Sequence, residues 1–321
     1  MSTEDAVFHA GELALQERAG VSDRIGGAAS RFIRAFMPEQ HRELFEKLPT
    51  LLVGNIDGER RPWASIVFGP PGFIQTPDAQ HLSINAWPLA GDPLRQQLSV
   101  GTPLGLLGIE PQTRRRNRVN GTVIDVSARR FTIEVDQSFG NCPQYIQARA
   151  PQWEQRAQPG SDMQHGEGLL ESRAAGLIER ADTFYIASAA AQARGHAGAQ
   201  GVDVSHRGGK PGFVRVGEQN GKSVLLAPDF RGNFLFNTLG NIAANPHAGL
   251  LFLDYAEGHL LQLTGDAEIV WDGPEVRAFA GAQRVLRVTV VSSRWFESAL
   301  PLRWSAPQLA SQLAATGSWG D

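Results

Sequence analysis

The sequence predicts a mainly β protein of the α+β class, built as two β-barrel units in tandem, each with antiparallel strands and short connecting helices. Short β-rich runs alternate with Gly, Pro, Asp and Asn along most of the chain, which is typical of antiparallel barrels and sandwiches. The order of runs and helices in the first half then returns in the second half. A length of 321 residues also suits two domains.

Residues 1–48 are predicted to form an N-terminal helical segment. Its clearest helix is "MPEQHRELFEKLP", in which Pro38 can occupy the first turn and Phe45 and Leu48 lie on one side. Strand periodicity begins after this helix. The first barrel unit is therefore predicted to span residues 49–155.

Six β-rich runs and one helix, "DPLRQQLSVG", are predicted in the first unit. The runs are "TLLVGNI", "PWASIVFG", "HLSINAW", "PLGLLGIE", "RVNGTVIDVS" and "RFTIEVDQSF". The stretch at residues 156–168 is rich in Gln, Pro and Gly, so we predict that it is a linker.

The second unit, residues 169–321, is predicted to repeat this order. It opens with a helix, "LLESRAAGLIERA", and a helical "NIAANP" follows its fifth run. The runs are "TFYIASAA", "VDVSH", "PGFVRV", "SVLLAP", "NFLFNT", "AGLLFLDY" and "HLLQLTGDAEIVW". Matching pieces such as "PPGFI" and "KPGFV" indicate a tandem duplication. The alternative is a chance coincidence of short apolar runs separated by glycines.

Composition and charge exclude several classes of function. A net charge of -3 gives no general attraction to nucleic acid or to an anionic membrane, so neither is an expected partner. The single cysteine, Cys142, excludes an intrachain disulfide framework and cysteine-rich metal sites. The first residues are acidic and no run reaches 18 apolar residues, so a cytoplasmic protein is expected.

Four common enzyme motifs are absent or fail on spacing. The stretch "GEQNGKS" has three residues between its glycines, whereas a phosphate-binding P-loop needs four. Asn220 and Gly221 instead predict a type I′ hairpin turn. No G-x-G-x-x-G follows a strand, no G-x-S-x-G is present, and no H-x-x-x-H pair occurs. No metal site is therefore predicted.

Two stretches of the second unit carry candidate anion-binding residues. "SHRGGK" contains two glycines that could let the backbone approach a ligand closely. "PDFRGNFLFNTLGNIAANP" places Asn241 where it could cap a helix, and free N–H groups at a helix start favour a phosphate. The alternative is a solvated loop with ordinary asparagine caps. The candidates are Ser205, His206, Arg207, Lys210, Arg231, Asn233, Asn237, Thr238 and Asn241.

The first unit has its own basic run, "QTRRRNRVNG". Alternation along a strand would place Arg114, Arg116 and Arg118 on one face, where three like charges repel unless an anion lies between them. A solvated strand edge blunted by charge is the alternative. Cys142 is predicted near the start of a helix with Pro143 in its first turn, where the helix dipole would lower the pKa of a thiol. A reactive thiol is therefore an alternative, and a small buried cysteine is the favoured interpretation.

The second unit resembles the pyridoxamine 5'-phosphate oxidase family. The resemblance rests on "FNTLGNIAANPHAGLLFLDY" followed by "LTGDAEIV", and it covers residues 181–272 clearly and 49–136 more loosely. "QSFGNCPQYIQ" and "SHRGGKPGFVRV" are similar to a two-barrel branch of that family. The resemblance implies the FMN-binding split barrel as the fold of each unit.

The resemblance also implies a ligand and an activity. FMN would bind non-covalently, its phosphate held by Ser205, Arg207, Asn237 and Thr238. The family's compact Arg-x-x-Leu-Leu-Lys strand is absent, and the basic residues of this chain lie around a Gly-Gly insertion instead. His206 or Lys210 would lie nearer the ring, and Arg116 or Arg118 would complete a pocket between the units or bind an acidic substrate. Arg116 joins the nine candidates of the second unit, which makes ten predicted site residues.

The implied function is that of an FMN-dependent oxidoreductase, with hydride or electron transfer through the flavin and a small-molecule substrate. NADH or NADPH is a candidate electron donor, and no catalytic residue is assigned. The alternative is a flavin- or haem-binding carrier or sensor on the same fold. The two units would pair within the chain as a family homodimer does, and further dimerisation of the chain stays open.

Overall fold

The structure is a computed structural model and describes residues 7–154 and 163–320. Three helices precede the first strand, and the helix predicted around residue 40 is confirmed as the third. Pro38 is its N-cap rather than part of its first turn. Leu44 and Phe45 are buried in the core of the first sheet. The helices are α1 (Ala10–Arg18), α2 (Ser22–Phe32) and α3 (Glu39–Lys47).

Seven antiparallel strands form the first sheet, in the order β2-β1-β5-β6-β7-β4-β3. The predicted helix "DPLRQQLSVG" is confirmed in shortened form as α4 (Pro93–Gln97), which begins after the N-cap Asp92. The strands are β1 (Thr50–Ile56), β2 (Pro62–Phe68), β3 (Ile74–Gln75), β4 (His81–Ile84), β5 (Pro103–Glu110), β6 (Arg115–Ser127) and β7 (Arg130–Gly140).

The predicted linker lies partly outside the described residues. Two short strands flank the gap at residues 155–162: β8 (Pro151–Trp153) and β9 (Met163–Glu167). The last strand of the chain, β17 (Leu302–Trp304), pairs with β8. The C-terminal part of the chain therefore returns to the end of the first unit.

The second sheet has the order β11-β10-β14-β15-β16-β13-β12, and β9 pairs with β16. The helix predicted to open this unit is confirmed as α5 (Ser172–Arg180). The other elements are β10 (Thr183–Ala189), β11 (Val202–Gly208), β12 (Arg215–Gln219), β13 (Lys222–Asp229), α6 (Asn237–Ala244), β14 (His247–Leu253), β15 (Leu260–Val270), α7 (Pro274–Arg277) and β16 (Arg284–Phe296).

The two sheets repeat one topology. If the strands of each are numbered from its first, both orders read second, first, fifth, sixth, seventh, fourth, third. The prediction of a mainly β, antiparallel chain is therefore confirmed. The outer strands of each order do not pair with each other among the described residues, so closure into barrels stays a prediction.

The sheets pack together through a contact that occurs twice. A Cβ on Gly105 of β5 would overlap the carbonyl oxygen of Val202, and a Cβ on Gly249 of β14 would overlap that of Pro62. Gly105 and Gly249 hold the same position in their sheets, and Val202 and Pro62 each begin the second strand. Equivalent residues exchanged in this way are the mark of a two-fold, isologous interface.

Each sheet has its own apolar core, and a third core lies between them. The third core includes Leu52 and Ile66 from the first sheet and Tyr185 and Leu251 from the second. No helix in the described part of the chain is long and apolar enough to cross a membrane.

Several local predictions are settled by the backbone. The hairpin turn between β12 and β13 is confirmed, with Asn220 at φ 53° and Gly221 at φ 72°. The predicted strand "NFLFNT" is wrong, because Phe234 and Phe236 adopt left-handed conformations at φ 61° and 62° and α6 begins directly afterwards. The long strand β16 was not predicted.

Two predicted helix starts are also wrong. Asn241 lies inside α6 rather than at its cap, which is Phe236. No helix forms after Cys142, where the backbone is irregular from residue 141 to 147. The helix-dipole argument for a reactive Cys142 therefore fails.

Candidate functional site

A cavity of about 110 Å³ lies between the two halves of the chain, where β6 of the first sheet meets β11 and the start of α6. We call it the arginine pocket. Its mouth is formed by the exposed residues Gly232 and Asn233. Its charged and polar lining includes Arg116, Arg118, Ser205, His206, Arg207, Asp229, Asn237, Thr238 and Arg284.

A buried ion pair forms the inner wall of the pocket. Arg118 Nη1 lies 2.9 Å from Asp203 Oδ1, and both side chains are less than a tenth exposed. Asn120 and Asn241 donate to the two oxygens of the same carboxylate at 2.8 and 2.7 Å. Arg118 also donates to Ser205 Oγ. This network fixes the Arg118 guanidinium, because each of its buried partners is itself hydrogen-bonded.

Arg116 has no acidic partner among the described residues. Its Nε donates to the carbonyl oxygen of Cys142 at 2.8 Å, and no carboxylate lies within ion-pair distance. Burial and the nearby Arg118 and Arg207 lower the pKa of Arg116 to about 10. Arg116 is half-buried, and a partly desolvated cation next to other cations is costly, so this position favours binding of an anion.

A second ion-pair cluster forms the outer wall. Asp229 forms ion pairs with two arginines: its Oδ1 lies 2.8 Å from Arg207 Nη1 and its Oδ2 lies 3.0 Å from Arg284 Nε. One carboxylate thus serves two guanidinium groups. Arg284 comes from β16, the strand that the sequence did not predict.

The pocket carries two more guanidinium groups than carboxylates. Burial, with Arg116 and Arg207 nearby, lowers the pKa of His206 well below its ordinary value, so this imidazole is neutral at neutral pH. The charged groups that line the pocket are Arg116, Arg118, Arg207, Arg284 and Asp229, and Asp203 pairs with Arg118 from behind the lining. An excess of two positive charges matches a dianion such as a phosphate monoester.

Polar groups without a partner also line the pocket. His206 Nδ1 and Asn141 Nδ2 are buried and make no hydrogen bond. Buried groups of this kind are normally satisfied in folded proteins. An oxygen-rich ligand would supply the acceptor that Asn141 lacks.

The N-terminal helix contributes to the pocket through α6. Asn237, the first residue of α6, donates to the carboxyl group of Glu12 in α1, and Thr238 donates to Ser205 Oγ at 3.0 Å. Burial and the nearby Asp203 raise the pKa of Glu12 well above its ordinary value. Glu12 therefore keeps its proton to a higher pH than an exposed glutamate and cancels less of the positive charge.

An aromatic wall and a contact between two loops complete the mouth of the pocket. Tyr145 and Phe230 pack with ring centroids 5.2 Å apart. Tyr145 Oη donates to the carbonyl oxygen of Arg231 at 3.1 Å, so a loop from the first half contacts a loop from the second. Phe234 and Phe236 also line this side. A planar apolar group would pack well here.

The structure brings seven of the ten predicted site residues to the pocket. Three others lie outside its lining. Lys210 Nζ donates to the carbonyl oxygen of Thr316, Arg231 packs over the ring of Phe234, and Asn241 is buried behind the pocket on Asp203. The seven are Arg116, Ser205, His206, Arg207, Asn233, Asn237 and Thr238.

The two glycines of "SHRGGK" have different surroundings. A Cβ on Gly208 would overlap the carbonyl oxygen of Tyr145, and a Cβ on Gly209 would overlap the ring of Phe213. Gly208 also lines the arginine pocket, so the expectation that it lets the backbone approach a ligand stays a prediction. Arg114 also differs from its prediction, since it adopts φ 56° after a short 3-10 turn and lies outside β6. Only Arg116 and Arg118 of the basic run reach the pocket.

Arg284, Glu12 and Tyr145 were missed by sequence reasoning. Arg284 and Glu12 lie far along the chain from the basic stretches, and neither stands in a recognisable motif. Tyr145 belongs to "QSFGNCPQYIQ", whose similarity to the two-barrel branch was the one available signal.

A second cavity, of about 290 Å³, is larger but electrically balanced. It lies beside Arg149 and Arg180. Arg149 pairs with Asp182 at 2.6 Å and Arg180 with Asp254 at 2.7 Å. Since no charge is left unpaired there, the arginine pocket is the better candidate for a charged ligand. No cluster of metal-ligating side chains occurs among residues 7–154 and 163–320.

Comparison with known proteins gives only remote structural matches. No family model matches the sequence, and no curated protein matches it. HupZ from Group A Streptococcus is 15% identical, with a TM-score of 0.29 over 38% of this chain and 90% of its own. A proposed pyridoxamine 5'-phosphate oxidase from Lactobacillus delbrueckii is 16% identical, with a TM-score of 0.27 over 33% and 95%.

The haem storage protein HutZ from Vibrio cholerae is 13% identical, with a TM-score of 0.24 over 38% of this chain and 90% of its own. What the arginine pocket binds is therefore indicated by its own residues.

Proposed function

We propose that the arginine pocket binds FMN non-covalently, through its phosphate, and that the chain is an FMN-dependent oxidoreductase. The observation that carries the proposal is Arg116, a half-buried guanidinium with no acidic partner among the described residues, next to Arg118 and Arg207. A phosphate monoester carries close to two negative charges at neutral pH and accepts hydrogen bonds on three oxygens. It would neutralise the excess charge of the pocket.

The residues present fit the rest of this ligand as well. Asn141 offers an unpartnered donor, and Tyr145, Phe230 and Phe234 offer an apolar aromatic surface close to the charged wall. A flavin has a polar chain at one end and a planar ring at the other. The pocket thus presents the two kinds of surface that such a molecule needs.

Bound FMN would supply hydride or electron transfer, and this chain's residues would bind and position it. Arg116, Arg118 and Arg207 would hold the phosphate, with Ser205 and Thr238 as neutral donors. The pocket is walled by both halves of the chain, which would limit the access of water. No general acid or base is assigned.

Replacement of Arg207 by alanine tests the phosphate site. Arg207→Ala is expected to weaken FMN binding by about 10- to 100-fold and riboflavin binding little, because only FMN has a phosphate. Fluorescence titration with both flavins measures this. Lys210→Ala is the matched control, since Lys210 lies three residues away in sequence and bonds outside the pocket. Equal losses for both flavins would remove Arg207 from the phosphate site.

A non-enzymatic haem carrier is the second candidate. It is favoured by His206, a neutral buried imidazole whose Nδ1 has no partner in the pocket. Neutral imidazole is a common haem ligand, and two propionates would match the same positive charge. Haem titration with wild type and His206→Ala tests this, since a shift of the haem absorption band lost in the variant would favour the carrier.

Reduction of bound FMN separates an enzyme from a flavin carrier. An oxidoreductase is expected to lose its visible flavin absorption under anaerobic conditions when NADH or NADPH is added, and to recover it with an acceptor. Bound flavin that neither donor reduces would favour the carrier or sensor. Protein that rejects FMN altogether would overturn the flavin proposal.

A further inference from the structure

We propose that each chain binds a single dianionic ligand. The equivalent position in the other half of the repeat is filled by side chains that bond each other, and their hydrogen-bond donors are uncharged. This inference rests on the proposed function of the arginine pocket as a phosphate site. The repeated topology raises the question of a second site, since a two-fold arrangement normally contains every site twice.

The strand registers identify the equivalent position. Ser65 forms the fourth residue pair of the hairpin β1–β2, counted from Thr50, and Ser205 forms the fourth pair of β10–β11, counted from Thr183. The side chain that bonds each serine comes from the sixth strand of the opposite half. Arg118 bonds Ser205, and Gln262 bonds Ser65.

Arg118 and Gln262 are equivalent by the same registers. Arg118 pairs with Leu107 of β5, and Gln262 pairs with Leu251 of β14. Leu107 and Leu251 in turn pair with the third residue of β1 and of β10. Arg118 and Gln262 therefore reach across the interface between the halves from equivalent positions.

All three phosphate-site arginines have uncharged counterparts. Leu260 lies two residues before Gln262, as Arg116 lies two residues before Arg118. Val67 lies two residues after Ser65, as Arg207 lies two residues after Ser205. The equivalent pairs are Arg116 with Leu260, Arg118 with Gln262, and Arg207 with Val67. No guanidinium is left at these positions in the second copy.

The counterpart position is filled by side chains that bond each other. Gln262 Nε2 donates to Asp92 Oδ2 at 2.8 Å and to Ser65 Oγ at 3.2 Å. Ser65 Oγ donates to Asp92 Oδ1 at 2.6 Å. All three residues are at most 1% exposed. A phosphate there would meet a carboxyl group instead of three arginines, and it would have to break this network to enter.

Equilibrium dialysis with FMN, and separately with inorganic phosphate, measures the number of sites. Each ligand is expected to saturate at one molecule per chain. Arg116→Leu and Arg207→Val copy the residues of the closed position and are expected to weaken both ligands by about 10- to 100-fold each. Neither change strands a buried acid, since Arg116 has no acidic partner among the described residues and Asp229 keeps Arg284. Thermal melting checks that both variants fold.

Gln262→Ala is the matched change at the closed position and is expected to leave the number of sites and their affinity unchanged. Saturation at two ligands per chain would overturn the single-site inference while FMN binding stands. One phosphate per chain without FMN binding would support the single site and overturn the FMN proposal. Protein that binds neither probe would overturn both.

Discussion

Ser205 and Ser65 occupy the same position in the two halves, yet their surroundings differ in charge. At Ser205 the donor is Arg118, which is balanced by the buried carboxylate of Asp203. At Ser65 the donor is Gln262, and the carboxyl group is that of Asp92. The strand registers and the interface contact are repeated around these two serines, so the difference at this point lies in the side chains.

The two carboxyl groups illustrate the energetic side of this difference. Asp203 lies against a guanidinium, and its ion pair offsets part of the cost of burying both charges. Asp92 accepts hydrogen bonds from Ser65, Leu94 and Gln262, which are all uncharged. Burial raises the pKa of Asp92 to about 6, despite these hydrogen bonds and the nearby guanidinium of Arg294.

The largest expected effect contrasts the two aspartates. Asp203→Ala is expected to lower the free energy of unfolding by about 3–5 kcal/mol, because it leaves buried Arg118 without its partner. Asp92→Ala is expected to cost about 1–2 kcal/mol, because it removes an N-cap and neutral hydrogen bonds. Urea denaturation measures both. Equal losses would show that the charge difference between the two positions has no effect on stability.

The glycines at the repeated interface contact give the next largest effect. Gly105→Ala and Gly249→Ala are each expected to cost about 1–3 kcal/mol, because the new methyl group meets a backbone carbonyl that cannot rotate away. The two costs are expected to agree, since the contact is the same on both sides. Thermal denaturation compares them. A loss confined to one variant would contradict a two-fold interface.

The pH dependence of stability is expected to differ between wild type and Asp92→Asn. The folded-state pKa of Asp92 is about 6, above its ordinary value of 3.8, so the folded protein binds this proton more tightly than the unfolded chain. Its contribution to stability therefore increases as the pH falls from about 6 to about 4. Asp92→Asn is expected to lack this component in urea denaturation between pH 4 and pH 7. Identical pH profiles of the two proteins would show that protonation of Asp92 does not contribute to stability.

The smallest expected effect concerns the Pro-Gly-Phe turns that both halves share. Gly72 and Gly212 have φ of 93° and 86°, which disfavour any residue with a Cβ. Gly72→Ala and Gly212→Ala are each expected to cost about 1 kcal/mol and to leave FMN affinity unchanged. Thermal melting and flavin titration test this. Lost affinity in Gly212→Ala alone would show that the second turn belongs to the site.

Local chemistry explains what could be predicted from the sequence. The type I′ turn at Asn220 and Gly221 follows from two adjacent residues that tolerate positive φ. Helices α3 and α5 follow from apolar residues at helical spacing. The repeated order of elements was visible because turn residues and apolar runs recur in both halves. Ser205, Arg207 and Thr238 stood close to motifs of that repeat.

Tertiary contacts explain what could not be predicted. Phe234 and Phe236 read as strand residues, yet they adopt left-handed conformations and line the pocket beside α6. The segment after Cys142 could not be distinguished from a helix, because its structure depends on contacts with the second half. Arg284 reaches Asp229 only through the pairing of β16 with β13. No window of sequence contains that information.

The contact of Gly105 with Val202 and the matching contact of Gly249 with Pro62 resemble the interface of a symmetric dimer, but both contacts lie within one chain. In a homodimer every substitution is copied into both subunits, so a change that improves one site alters its twin at the same time. A single chain is free of that constraint. One side can keep its arginines for a ligand while the other exchanges them for packing and neutral hydrogen bonds, and each can then be optimised separately.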